Sequence, residues 1–266
     1  MSGKKWALLV AGSKGWDYYR HQANVCCAYQ IIKKHGIPDK QIVVMMYDDI
    51  AQNPKNPYPG NITSAVTELG DVYPGVPKDY TGKDVNPKNF LTALQGKPSS
   101  EKVIDSGSND EIFIYMSTTG GDGKFDFPEQ SLLAADLIGA VNSMHNEKKF
   151  SKMAIYMDSD YSATMFKDLS QYNNVYAVSS CDQTSKNIPS DKDSSRGISL
   201  SDEFSSALLK FINTADYNSA TLKNLFDNLS KSVTSNASQF GDMEIRDCQL
   251  SVFLEQKAEP SKKASV

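Results

Sequence analysis

Short runs of unbroken apolarity, each stopping abruptly in small polar residues, recur along the chain. Trp6 to Ala11, Gln41 to Tyr47, Ile112 to Met116, Met153 to Met157 and Val175 to Val178 read as strands buried on both faces. Between them the apolar positions change to the helical period. His21 to His35 places Val25, Ala28, Tyr29 and Ile32 on one face and meets Gly36 as its stop. A short helix is predicted over Asn89 to Leu94. A longer one spans about 132–147, through Leu133, Leu137, Val141 and Met144. Phe204, Ala207, Leu208, Phe211 and Ile212 define another, with Asp202 in its first turn. Leu222, Leu225, Phe226, Leu229 and Val233 define the last, and Cys248 to Leu254 reads as a weak final strand.

The polar stretches separate these elements. Asp48 to about Pro87 is rich in Asn, Pro, Gly, Asp and Tyr without a period and reads as a long loop holding at most a small hairpin. Gly120-Gly121-Asp122-Gly123 turns into a hairpin that ends near Pro128. Ser180 to Arg196 carries no strong element, Lys257 to Val266 reads as a solvated tail, and no internal repeat is present. Strand–helix alternation predicts an α/β fold, one mainly parallel sheet sandwiched by helices. In such sheets ligands sit beyond the carboxyl ends of the strands. The residues that follow Trp6–Ala11, Ile112–Met116 and Met153–Met157 are therefore expected to share one site.

Composition narrows the chemistry. With 39% hydrophobic and 10% aromatic residues, the 266-residue chain can bury a core of one domain over 1–256. A net charge of −4 without a Lys/Arg block excludes nucleic acid and anionic membrane as partners. No run approaches the ~18 apolar residues of a membrane span. The start reads as a first strand rather than as a signal peptide. Four cysteines, Cys26, Cys27, Cys181 and Cys248, form no CxxC pair. With only three histidines there is no zinc-ligand spacing, and no cofactor is implied. A bridge between Cys181 and Cys248 stays open. Sequons at Asn61, Asn228 and Asn236 fit a secretory route but also arise readily by chance in a chain this rich in Asn and Ser.

Several long segments carry a family resemblance: Val10-Ala-Gly-Ser-Lys-Gly-Trp16, Tyr19-Arg-His-Gln-Ala23, Gly36 to Ile50, Asn56-Pro-Tyr-Pro-Gly60 and Asp71 to Gly82. From Trp6 to about Leu254 the chain resembles the legumains, the asparaginyl endopeptidases of peptidase family C13. The resemblance implies a caspase-like three-layer sandwich and a lysosomal, vacuolar or secreted protein. It also implies a C-terminal prodomain, without which this chain is read as ending. In the family a Cys thiolate attacks the peptide carbonyl, a His moves the proton and an Asn orients that His. Backbone N–H groups hold the oxyanion. Those three positions fall here on Asp160, Thr119 and Tyr18, and the oxyanion-hole position on Gly120. The family's Glu-Ala-Cys-Glu-Ser-Gly becomes Asp158-Ser-Asp-Tyr-Ser-Ala163, and the Asp before the catalytic His becomes Thr118.

Part of the pocket that selects Asn matches on Arg20, His21 and Asp202, with Asp158 a shortened substitute for a Glu. Asn187 stands roughly where the family has a Ser. Donors and acceptors together suit a carboxamide. The implied ligand is thus a peptide or protein, Asn-containing, met by a non-catalytic homologue. The alternative is an asparaginyl endopeptidase or ligase with atypical catalytic residues. Asp17, Asp122, Asp158 and Asp160 are weighed as a cation site and set aside as solvated loop carboxylates, so no metal is expected. Asp158 and Asp160 are set aside as an acid–base dyad, on the ground that strand alternation aims them apart. Ser159 or Ser162 activated by His21 is the serine-hydrolase alternative, and Cys181 is read as a buried strand-end thiol.

Overall fold

Parallel pairing of three long strands sets the frame. The computed structural model of the chain describes residues 3–258. In chain order the elements are β1 (Lys5–Ala11), α1 (Tyr19–Lys34), β2 (Ile42–Met45), α2 (Pro87–Leu94), β3 (Glu111–Ser117), β4 (Lys124–Asp126), β5 (Ser131–Leu133), α3 (Ala134–Asn146), β6 (Lys152–Asp158), β7 (Val175–Ser179), β8 (Pro189–Asp193), β9 (Ile198–Asp202), α4 (Glu203–Thr214), α5 (Leu222–Ser232), β10 (Ser238–Gly241) and α6 (Ser251–Leu254). The main sheet has six strands in the order β10-β7-β6-β3-β1-β2. All neighbours are parallel except β10, which runs antiparallel to β7.

Side chains alternate strictly across this sheet. Ala7, Leu9, Phe113, Tyr115, Ala154 and Tyr156 join one apolar layer with α1, α4 and α5. Leu8, Val10, Ile112, Ile114, Met153 and Ile155 join the other with α2 and α3. Each large side chain taken fully from water contributes roughly 1.5–3 kcal/mol, so both faces must be apolar for the strands to stay between helices. Two helices start on local signals. The Asn86 side chain accepts from Asn89 N ahead of Pro87 in α2, and Thr221 with Asn224 forms a capping box on α5.

Five segments depart from the sequence expectations. Ser238–Gly241 is an unannounced strand on β7. The hairpin runs on to Leu133, which ends β5 exposed instead of lining the helix that starts at Ala134. The second strand stops at Met45, because Met46 N donates to Tyr80 O and the chain leaves the sheet there. The Ser180–Arg196 region is not structureless, since β8 pairs antiparallel with β9. Nothing apolar in Pro189–Asp193 announces that strand; the backbone ladder and a turn with Gly197 at φ 67° make it. Cys248–Leu254 ends as the short helix α6 rather than as a strand. Leu250, Phe253 and Leu254, spaced i, i+3, i+4, bury one face there. All four cysteines are free, so Cys181 and Cys248 are not bridged. Of the tail read at 257–266, residues 259–266 lie outside the described residues. No helix among the described residues is long and apolar enough to cross a membrane.

One side chain ties the β8–β9 hairpin to the long 48–87 loop. Arg196 pairs with Asp193 at 2.5 Å, donates to Asn61 Oδ1 (2.9 Å) and Thr63 Oγ1 (3.1 Å), and lies 4.5 Å over the Tyr58 ring. The guanidinium is nearly buried, and truncating one partner of a buried ion pair leaves the other uncompensated. Arg196→Ala is expected to lower unfolding stability by roughly 3 kcal/mol in a urea titration. Limited proteolysis should then cut first within 182–197.

Candidate functional site

The carboxyl ends of β1, β3 and β6 lie level with one another. Ala11 pairs with Ser117, and Ser117 pairs with Asp158. The chain bends at once after each. Beyond β3, Thr118 N donates to Asp158 O (3.0 Å); beyond β6, Asp160 N donates to Thr119 O (2.7 Å). Gly120 adopts φ 66°, and a Cβ placed there would lie 1.8 Å from Ser159 Oγ. Tyr161 takes a left-handed φ of 54° and its N–H donates to Ser185 O. Thr119 and Asp160 are thus neighbours, half-buried, at the end of two adjacent strands.

A second cluster adjoins them. Arg20 in the first turn of α1 donates from Nε to Asp202 Oδ1 at 2.9 Å. His21 is fully buried, with Nδ1 2.6 Å from Ser13 Oγ and Nε2 3.8 Å from Asp202 Oδ2. Tyr18, 41% exposed, stacks on the His21 ring at 5.7 Å, and the Arg20 guanidinium lies 5.7 Å from the Tyr18 ring. Asp158 is buried as well. Its Oδ2 accepts from Ser205 N (3.2 Å) and Oγ (2.5 Å), and Ser205 Oγ lies 2.5 Å from Tyr115 OH. The carboxyl thereby satisfies an amide in the first turn of α4.

Burial dominates the electrostatics. It pushes Asp158 well above the usual carboxylate range, helped by the charge of Asp202 and opposed by the Ser205 bonds. Burial also raises Asp202, to about 6, against the lowering pull of Arg20. The His21 imidazole is driven well below its usual value by burial and then by the Arg20 charge. Because it is neutral, its approach to Asp202 is not an ion pair. Asp160, half-buried, is raised by burial against the Asn187 amide that donates to its Oδ1 at 2.8 Å. Four buried polar atoms in this region lack hydrogen-bond partners: His21 Nε2, Asp158 Oδ1, Asp202 Oδ2 and Ser159 Oγ. An unpaired buried polar atom costs about 1–3 kcal/mol; the first three belong to the Arg20–Asp202 cluster, and Ser159 Oγ lies against Gly120 at the strand-ends.

The eight residues singled out from the sequence divide between these two groups. Thr119, Gly120 and Asp160 line the strand-ends, Tyr18 packs with Arg20, His21 and Asp202, and Asp158 stands at the end of β6. Asp17, Asp122, Asp158 and Asp160 do not converge. Among the described residues no group of three or more His, Cys, Asp or Glu side chains is placed to hold a metal ion. Asp158 and Asp160 are separated, but not by strand alternation, because residues two apart share a face. The chain leaves the strand after Asp158, and their carboxylates bond Ser205 and Asn187 respectively. The hydroxyl on His21 belongs to Ser13, not to Ser159 or Ser162. Cys181 is a buried thiol pushed up to about 12 by burial, with Sγ 3.0 Å from Asn187 Oδ1. Sequence reasoning missed Ser13, Tyr115 and Ser205. Ser13 was legible, lying inside the conspicuous Val10–Trp16 segment; Tyr115 and Ser205 look like any strand and helix residue.

A raised carboxyl holds its proton more tightly in the folded chain than in the unfolded one. The stability it contributes is complete below the ordinary value of 3.8 and is lost as pH rises through the folded value, about 6 for Asp202. Asp158→Asn replaces a carboxyl that has to take up a proton on folding with a group that is neutral at every pH. Thermal melts should show this variant several degrees more stable than the parent at neutral pH, with the gain fading as pH falls towards 4.

Comparison with known proteins agrees with this architecture. The Peptidase C13 family model matches residues 5–256. Human legumain is 39% identical over 266 residues, covering 97% of this chain and 61% of its own length. The vacuolar-processing enzyme delta-isozyme of Arabidopsis thaliana is 37% identical over 276 residues, covering 95% of this chain and 58% of its own. The chain thus spans about three fifths of the length of these relatives. Caspase-1 from Spodoptera frugiperda superposes with a TM-score of 0.57 at 9% identity, covering 97% of this chain and 94% of its own, which shows a caspase-like fold. The chain belongs to the peptidase C13, or legumain, family.

Proposed function

We propose that the chain is a non-catalytic legumain-family homologue whose 1–256 domain binds an Asn side chain of a peptide or protein ligand. The observation that carries this reading is the set of three unpartnered buried atoms around the Arg20–Asp202 pair, His21 Nε2, Asp202 Oδ2 and Asp158 Oδ1. A primary carboxamide carries both a carbonyl acceptor and two N–H donors, and so satisfies carboxylate oxygens and an imidazole N–H together. With Asp202 paired to Arg20 and His21 neutral, an uncharged ligand group enters without bringing an unpaired charge indoors.

The strand-ends support the non-catalytic half. A threonine hydroxyl is no base near neutral pH, and a carboxylate is a poor nucleophile towards an unactivated amide. The Asp160 N–H, a donor that an acyl-transfer site would aim at the oxyanion, already donates to Thr119 O. Losing nucleophile and base together costs on the order of 10⁶ in kcat.

Two measurements test the reading. With an Ala-Ala-Asn fluorogenic substrate, no turnover above the uncatalysed rate is expected from pH 4 to 8. Turnover that an Asp160→Ala change abolishes overturns the non-catalytic assignment in favour of a peptidase with atypical groups. In calorimetry a non-cleavable Asn peptide is expected to bind, and Arg20→Ala to weaken it at least about tenfold, as for loss of a charged hydrogen-bond partner. Binding indifferent to that change removes the pocket from the proposal.

A further inference from the structure

Ser13 follows Gly12 at the end of β1 and is 9% exposed, against a wholly buried His21. Its Oγ lies 2.6 Å from His21 Nδ1, while Nε2 on the opposite edge of the ring lies 3.8 Å from Asp202 Oδ2. Neither Nε2 nor that oxygen has a hydrogen-bond partner. A neutral imidazole carries one N–H, so these two contacts decide where it sits. A proton on Nδ1 would serve Ser13 but turn the bare Nε2 lone pair towards a carboxylate oxygen in a dry interior. A proton on Nε2 directs its positive end at Asp202 and leaves Nδ1 free to accept the Ser13 hydroxyl. Only the second arrangement makes both contacts attractive.

We propose that Ser13 is a positioning residue: Asp202 Oδ2 selects the Nε2–H tautomer of His21, and the Ser13 hydroxyl, donating to the bare Nδ1, holds the ring in place, so that the pocket presents a neutral donor for the carbonyl oxygen of a bound carboxamide. The use of that donor rests on the carboxamide reading given above; the hold on the ring does not. The ligand's NH2 is then left for Asp202 Oδ2 and Asp158 Oδ1, the two carboxylate oxygens without partners. This division separates the roles of neighbouring groups: Arg20 neutralises Asp202, Asp202 sets the polarity of the imidazole, and Ser13 holds the ring.

The chain has only three histidines, so ring nitrogens are readily assigned in a long-range ¹H–¹⁵N spectrum, with His21→Gln identifying its own signals. In the unliganded full chain His21 is expected to show a bare, acceptor-type Nδ1 and a protonated Nε2. A protonated Nδ1 overturns the proposal. Ser13→Ala is expected to move the Nδ1 resonance to that of an unbonded acceptor and to weaken a non-cleavable Asn peptide about tenfold, the loss that follows a partly broken buried hydrogen-bond network. Ser13→Thr, which keeps the hydroxyl, should restore both, and this separates lost positioning from a general defect in folding. An unchanged Nδ1 resonance and affinity in Ser13→Ala also overturns it. If the parent chain binds no Asn peptide the carboxamide reading fails, while the ring spectrum still decides the role of Ser13.

Discussion

The parallel register of β1, β3 and β6 is the constraint on which the site depends. Ala11, Ser117 and Asp158 end at one level, so three loops leave the sheet together and have to pack on one another. A slip of one residue in β6 would turn Tyr156 and Asp158 into the opposite apolar layer and Ile155 and Met157 towards α1 and α4. Since both layers are dry, that slip strands a carboxylate among aliphatic side chains. Burial on two faces, rather than any single bond, therefore fixes where Thr119 and Asp160 meet.

Two buried carboxylates beside one guanidinium give the site its character. Charged groups taken from water are costly unless paired, and here a single Arg20 serves Asp202 while Asp158 leans on Ser205 and the start of α4. The network is therefore asymmetric: one carboxylate is ionically compensated and the other is held mainly by hydrogen bonds. That asymmetry favours one proton within the pair and keeps the region close to neutral. The fold tolerates the arrangement because α4 gains a partner for an amide that β9 leaves unsatisfied at its junction.

Most of the frame could be read from the residues. Buried strands such as Ile112–Met116 announce themselves by continuous apolarity, and the helices by their period, because both patterns follow from what each face touches. The pieces that escaped have no such imprint. Pro189–Asp193 and Ser238–Gly241 are polar edge strands held by backbone pairing and by distant partners such as Arg196. The same split holds at the site. Arg20, His21, Asp158 and Asp202 were nameable by resemblance, and the structure brings them to one end of the sheet. Tyr115 and Ser205 matter through contacts 47 and 90 residues apart in sequence, which no local spacing encodes.

Gly120 is held by shape before any chemistry is asked of it. Its left-handed backbone and its contact with Ser159 leave no room for a side chain. Steric necessity alone thus keeps a glycine at this point, whatever chemistry the loop performs. A glycine here therefore records the shape of the bend and carries no information about an oxyanion.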